Sequence, residues 1–110
     1  MRMWNVPPKI LCRQHLLGEH NEMHSFLGSI KKGRSVKGYI DKHQLELHNI
    51  KKRHDELANE MKYRGYRHNS PMEELNFETL GSVSSTYNMI YLKDACSECR
   101  KRILKSREDK

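Results

Sequence analysis

Gln14–Glu22, QHLLGEHNE, is the stretch from which the rest of the chain is read. At roughly 100° per residue on a helical wheel, Cys12, Leu16, Met23, Phe26, Leu27 and Ile30 share one side. Gln14, Gly18, Asn21 and Ser25 share the other. One long helix with a single apolar face is expected here, and with it an all-α fold. His15 and Glu22 are seven residues apart and lie nearly in line on the border between the faces, with Gly18 beside them. A position without a side chain lets another backbone or a ligand come close. Helices that only meet solvent usually carry Lys and Glu on that face. This one carries Gln, His, Gly, Asn, Glu and Ser, which reads as a site; the alternative is a polar face packed on a neighbouring element.

Outward from this helix, Met1–Val6 reads as a short arm, and Pro7 and Pro8 suit a first helical turn, where a missing amide donor does no harm. The helix is expected from about Pro8 to Lys31, ending at Gly33, with Lys31 and Lys32 in the last turn where cations suit the dipole. The connection KKGRSVKGYIDK carries Lys31, Lys32, Arg34 and Lys37 and resembles a phosphate-meeting basic loop. Asp41 and Gln44 suggest a capping box that opens a second helix. Its inner stripe is Leu47, Ile50, Leu57 and Met61, and His54 on that stripe is expected as a hydrogen-bonded core histidine, the alternative being a group that faces the first helix and supports its site. Arg64-Gly65-Tyr66 reads as a Schellman-like end. Arg67–Pro71 reads as a turn, Met72–Thr79 carries the acidic patch Glu73, Glu74 and Glu78, and Gly81–Thr86 is a Ser-rich loop. A third helix is expected over about Asn88–Ser106, with Leu92, Cys96, Cys99 and Ile103 inside and a fraying SREDK end. The fold expectation is a compact all-α single domain over 1–110, with three helices and long connecting loops.

The 110 residues suffice for one domain with a modest core. Lys and Arg number 21 against 14 Asp and Glu, giving +7 and a pI near 9.5, and mean hydropathy is −0.94. This balance favours a polyanionic partner held in a salt-sensitive way, although solubility alone would also account for it. Three cysteines make no disulfide framework, and no signal peptide is evident, so a reduced intracellular setting is expected. No apolar run approaches the ~20 residues of a membrane span.

Seven histidines and Cys96-x-x-Cys99 raise the question of a metal. His15 and His20, five apart, point roughly 140° away from each other on a helix. His20 and His24 make half a site without an evident partner. Cys96 and Cys99 fall on an apolar stripe, where free Cys behaves as a small hydrophobe, and four-ligand zinc there needs ligands from elsewhere. No metal is expected. Nucleophilic chemistry has a different candidate. A free α-amine has a reference pKa of about 7.7–8.0, so on the order of a quarter is neutral at physiological pH. Arg2 disfavours removal of the initiator methionine, so the amine belongs to Met1. A short arm can lay it over Gly18, beside Glu22. An amine with a carboxylate is the minimal set for attacking a sugar C1′, expelling a base and forming an imine.

The start of the chain, with QHLLGEHNE, GSIKKGRSVKGY and KKRHDELANEMKYRGY, resembles the phage pyrimidine-dimer DNA glycosylase/AP lyase family. The likeness is good from Met1 to about Tyr66. It implies an all-α fold, the Met1 α-amine as nucleophile and Glu22 as acid/base, with Arg2, Gln14, His15, Gly18 and Asn21 lining the site and contacting DNA. Lys31, Lys32, Arg34 and Lys37, together with Arg100, Lys101 and Arg102, are candidate phosphate contacts. The implied partner is double-stranded DNA, bound by a monomer that needs no cofactor and no membrane, in the bacterial cytoplasm if the gene is phage-borne. A nucleotide leaves the stack so that the amine reaches C1′, and β-elimination then cuts the strand on the 3′ side. The chain departs from the pattern in three places. Met stands at the terminus where some members mature to Thr, Asn21 and Ser25 replace arginines, and an aromatic C-terminal tail is missing. The alternatives are a basic helical nucleic-acid-binding protein without catalysis, a lyase for another base or an abasic site, and an interaction module built on the acidic patch and Cys96/Cys99.

Overall fold

The structure is a computed structural model that describes residues 1–68 and 70–108, without the side chains of 107 and 108. Its helices are α1 (Arg13–Lys31), α2 (Lys37–Asp41), α3 (Ile50–Tyr63), α4 (Ser85–Ala95) and α5 (Ser97–Glu108), with 3₁₀ turns at Pro8–Ile10 and Leu47–Asn49. No strand occurs among the described residues, so the fold is all-α as expected. Asn69 of the expected Arg67–Pro71 turn, and the end of the SREDK segment, lie outside the described residues.

α1 is about 28 Å long at 1.5 Å per residue, and α1 and α3 pack together more extensively than any other pair of elements. Leu16, Met23, Phe26 and Leu27 are buried as the helical wheel implies, and Glu19 and His20 are buried with them. The helix starts later than expected. Pro8–Ile10 makes only a 3₁₀ turn, Leu11 and Cys12 are extended, and the Cys12 side chain caps α1 by accepting from the His15 backbone N–H. At the far end the Arg34 amide bonds to the Ser29 carbonyl, with Gly33 at φ +74°. That conformation suits glycine because it has no Cβ.

The second helix also starts later, at Ile50, and the capping box at Asp41 does not form. Asp41 instead closes α2 with a Lys37 Nζ contact at 2.5 Å. The chain after it serves as a docking strip: the Gln44 carbonyl accepts from the Met3 amide at 2.7 Å and the Leu47 amide donates to the Leu80 carbonyl at 2.9 Å. Backbone groups bonded to distant segments cannot also serve a helix, so tertiary pairing overrides the local signal here. Ile50, Leu57 and Met61 are buried as expected. His54 Nδ1 lies 2.9 Å from Asp55 Oδ1 and its Nε2 3.0 Å from the Ser70 carbonyl, so a ring N–H on either nitrogen has an acceptor. α3 ends as its sequence predicts, with Gly65 at φ +85° and the Tyr66 amide on the Met61 carbonyl.

The third expected helix is two. α4 begins at a Ser84 cap, and the chain turns at Cys96, which is extended (φ −127°, ψ 110°), before α5 resumes. Leu92, Cys99 and Ile103 are buried and Cys96 is half-buried. No described helix is long and apolar enough to cross a membrane.

Candidate active site

The N-terminal arm is inserted along α1, held by side chains of three helices. The Arg2 amide donates to Glu22 Oε2 at 3.0 Å and the Trp4 amide to Glu19 Oε2 at 3.0 Å. The Asn88 side chain donates to the Trp4 carbonyl at 2.8 Å, and Arg53 Nη1 donates to the Val6 carbonyl at 2.7 Å. Beneath the arm, Arg53 grips Glu19 with two hydrogen bonds, 2.6 Å through Nε and 2.9 Å through Nη2. Both partners are essentially inaccessible, with side-chain exposures of 3% and 0%. A buried carboxylate without such a partner would carry a large desolvation cost. Glu19, Arg53, Trp4 and Asn88 therefore build the seat of the arm. Sequence reasoning passed over all four, because a charged residue on a buried helix face gives no periodic signal of its own.

Met1 is 41% exposed, at the free end of this seat. Standard backbone dimensions keep its α-nitrogen within about 7 Å of the Glu22 carboxylate, given the Arg2 contact. Glu22 is half-buried at the rim. A Cβ added to Gly18 would meet nothing within 4 Å, so open space lies over it. Gln14 and Asn21 are exposed on the same helix. The Arg2 guanidinium lies 4.1 Å above the Trp4 ring and donates to Asn88 Oδ1 at 2.6 Å, which ties it to the floor of the site. Trp4 in turn stacks on Tyr91, with ring centroids 5.8 Å apart, and Tyr91, Tyr87 and Ile90 of α4 are exposed beside it.

His15 is half-buried between the arm and the cysteines. Its ring meets the Trp4 ring edge-on, and its Nδ1 points at sulfur, 3.1 Å from Cys12 Sγ and 3.5 Å from Cys99 Sγ. Burial lowers its pKa below the usual histidine range, against the opposing pull of Glu22 and Glu19. Burial pushes the Cys99 thiol up to about 12. At Cys96 burial acts upward too, but hydrogen bonds from the Cys99 backbone and from the Cys99 and Cys12 thiols outweigh it and lower the value.

The basic residues divide into two groups. Lys32 and Arg34 are exposed, whereas Lys31 is paired with Glu73 of the acidic patch and Lys37 with Asp41. Arg100 is bonded to the Lys93 carbonyl at 2.8 Å and Arg102 to the Lys9 carbonyl at 2.9 Å, while Lys101 reaches Glu98 at 3.3 Å. Arg13, Arg64, Lys101, Arg102 and Lys105 nonetheless line one open depression of about 290 Å³ beside Cys12. Arg13 and Arg64 were not among the expected contacts.

A family model described as pyrimidine dimer DNA glycosylase matches residues 1–74. The chain belongs to the pyrimidine dimer DNA glycosylase family. No curated protein and no solved structure is significantly similar to it. The stretch matched by the glycosylase family contains the arm, α1 and α3, hence Met1, Glu22, Glu19 and Arg53; α4 and α5 lie beyond it.

Proposed function

We propose that the protein is a DNA N-glycosylase with AP-lyase activity, acting on pyrimidine dimers in duplex DNA through the Met1 α-amine. The observation that carries this reading is the Arg2 amide on Glu22 at 3.0 Å, which holds the chain terminus next to a half-buried carboxylate at an uncovered glycine. The neutral amine attacks C1′ of the damaged nucleotide, the C1′–N glycosidic bond breaks, and the base leaves with a proton. The amine nitrogen, now bonded to C1′, sheds a proton; the C1′–O4′ bond then breaks, O4′ takes up a proton as the sugar ring opens, and a protonated imine is left between the Met1 nitrogen and C1′. Removal of a C2′ proton then expels the 3′ phosphate oxygen and cuts the strand. Glu22 transfers the protons in both stages, as a positioned carboxylate can.

DNA recognition is assigned to the same face. Gln14, Gly18 and Asn21 meet the strand along α1, with Arg2 and His15 shaping the Trp4 wall behind it. Lys32 and Arg34 meet phosphates, joined by the basic depression around Arg13, Lys101 and Arg102; Lys31, Lys37 and Arg100 contribute positive field near their own partners. Tyr87 and Tyr91 offer aromatic faces on which an unstacked base can rest, a role that stacking energies of ~1–3 kcal/mol per base make worthwhile.

Borohydride trapping tests the mechanism. Mixed with duplex DNA containing an abasic site, the protein is expected to form a covalent adduct under reducing conditions, and N-acetylation of Met1 is expected to abolish it. An adduct that survives acetylation would move the nucleophile to a lysine. No adduct at all, with DNA binding intact, would leave a binding protein.

A further inference from the structure

We propose that Cys12, His15, Cys96 and Cys99 hold one tetrahedral zinc ion that fastens the start of α1 to the α4–α5 corner. One ligand atom from each lies within 4.8 Å of all the others. Zinc with Zn–S near 2.3 Å and Zn–N near 2.0–2.1 Å requires sulfurs ~3.8 Å apart and sulfur–nitrogen separations of ~3.5 Å at tetrahedral angles. The Cys12 and Cys96 sulfurs are 3.9 Å apart, and His15 Nδ1 lies 3.1 and 3.5 Å from the Cys12 and Cys99 sulfurs.

The backbone around the sulfurs repeats itself. Cys12 Sγ accepts from the His15 amide at 3.5 Å, and Cys96 Sγ accepts from the Cys99 amide at 3.4 Å. Each half is thus a Cys-x-x-ligand pair at the first turn of a helix, and the halves face each other. Cys99 Sγ accepts from the Cys12 amide at 3.3 Å, which joins them. Amide N–H groups aimed at sulfur are the donors that a metal-bound cysteine accepts from. All three cysteines of the chain meet at this point, although 84 residues separate Cys12 from Cys96. Packing of small apolar side chains explains their burial but not the convergence of a histidine nitrogen on them.

On binding, the three thiols release three protons to water and no atom changes oxidation state. Three thiolates and a neutral imidazole leave the centre at a net charge of −1, beside a depression whose lining carries Arg13, Arg64, Lys101, Arg102 and Lys105 against Glu98. Protein atoms fill all four positions, so the ion is structural, with none left for a substrate or water. His15 and Glu22 are about 10 Å apart along α1, so the centre is separate from the amine chemistry and stands whether or not that chemistry is confirmed. Two of its ligands lie beyond the family-matched residues.

Metal analysis of the full-length protein, purified without a metal-affinity tag from zinc-supplemented medium, is expected to find about one equivalent of zinc. After demetallation, added Co²⁺ should give thiolate-to-cobalt charge-transfer bands and the strong visible absorption of a tetrahedral site. His15→Cys should keep these bands in shifted form, and Cys99→Ser should lose them. Chelation should lower Tm by on the order of 10 °C. Wild-type protein with less than about a tenth of an equivalent, no cobalt bands and a Tm indifferent to chelator overturns the proposal. A reductant-sensitive mass deficit of two hydrogens in the protein as purified, before any demetallation and without bound zinc, also overturns it, in favour of a disulfide among the three cysteines.

Discussion

Glu19 and Glu22 stand three residues apart on α1, and both accept a backbone amide of the arm, yet their surroundings give them opposite prospects. Glu19 is 1% exposed and bound to Arg53, so its charge is committed to holding the fold. Glu19→Ala leaves the Arg53 guanidinium buried without its anion, and urea denaturation is expected to show a loss of ~3–5 kcal/mol. Glu22 lies half-buried at the rim, with solvent on one side. Glu22→Gln still offers an oxygen to the Arg2 amide, so on the proposed mechanism the arm is expected to stay seated and DNA binding to persist, while strand scission is expected to fall by on the order of 10²–10⁴. Turnover at the wild-type level would take Glu22 out of the mechanism.

At the scale of elements, α1 meets α3 and the following turn through a group of histidines. His20 and His54 each have ring centroids 4.7 to 5.3 Å from one another and from those of His24 and His68, and His68 Nε2 lies 3.0 Å from His20 Nε2. Burial, then repulsion from His54, His24 and His68, pushes His20 down to about 4; burial also lowers His24 and His68. Asp55 and Lys62 are the charged groups beside them. An unfolded imidazole titrates near 6.5. Between about 6.5 and 4 the unfolded chain therefore holds more protons, and stability falls as pH is lowered through that window. Urea midpoints are expected to be flat above neutrality and to drop between pH 6.5 and 4, and His20→Gln should shallow the slope; an unchanged slope assigns the acid sensitivity elsewhere. The segment that feeds α4 has its own constraint. Gly81 sits at φ +89°, and a Cβ there would fall 2.2 Å from the Leu45 carbonyl oxygen. Gly81→Ala must displace backbone, and a Tm decrease of several degrees is expected, on the order of 2 kcal/mol.

For the whole molecule, the proposed encounter with DNA draws on the excess of basic residues, 21 Lys and Arg against 14 Asp and Glu. If about four phosphates are neutralised, counterion release lowers affinity on the order of 100-fold between 50 and 200 mM salt. A nearly flat salt dependence in a titration with undamaged duplex would exclude the basic surface from binding. The arm couples this surface to the interior: Arg2, Trp4 and Val6 are bonded to α1, α3 and α4, so any variant that loosens α4 also loosens the terminus.

The sequence by itself determined what is local and periodic. The all-α class, the apolar face of α1, the glycine stops at Gly33 and Gly65, and the inward stripe Ile50, Leu57 and Met61 follow from spacing and from the φ that glycine alone adopts easily. The family followed from residues around Met1–Tyr66, where those local patterns are densest. What only the tertiary structure decided are contacts between groups far apart in the chain. These include the Glu19–Arg53 pair under the arm, the docking of Met3 on Gln44 that displaced the expected capping box, and the break at Cys96. Cys96-x-x-Cys99 looked half a site short because its completing ligands, Cys12 and His15, arrive from the other end of the chain. Helical periodicity registers which face a residue occupies, whereas coordination and ion pairing depend on which two faces the fold brings together.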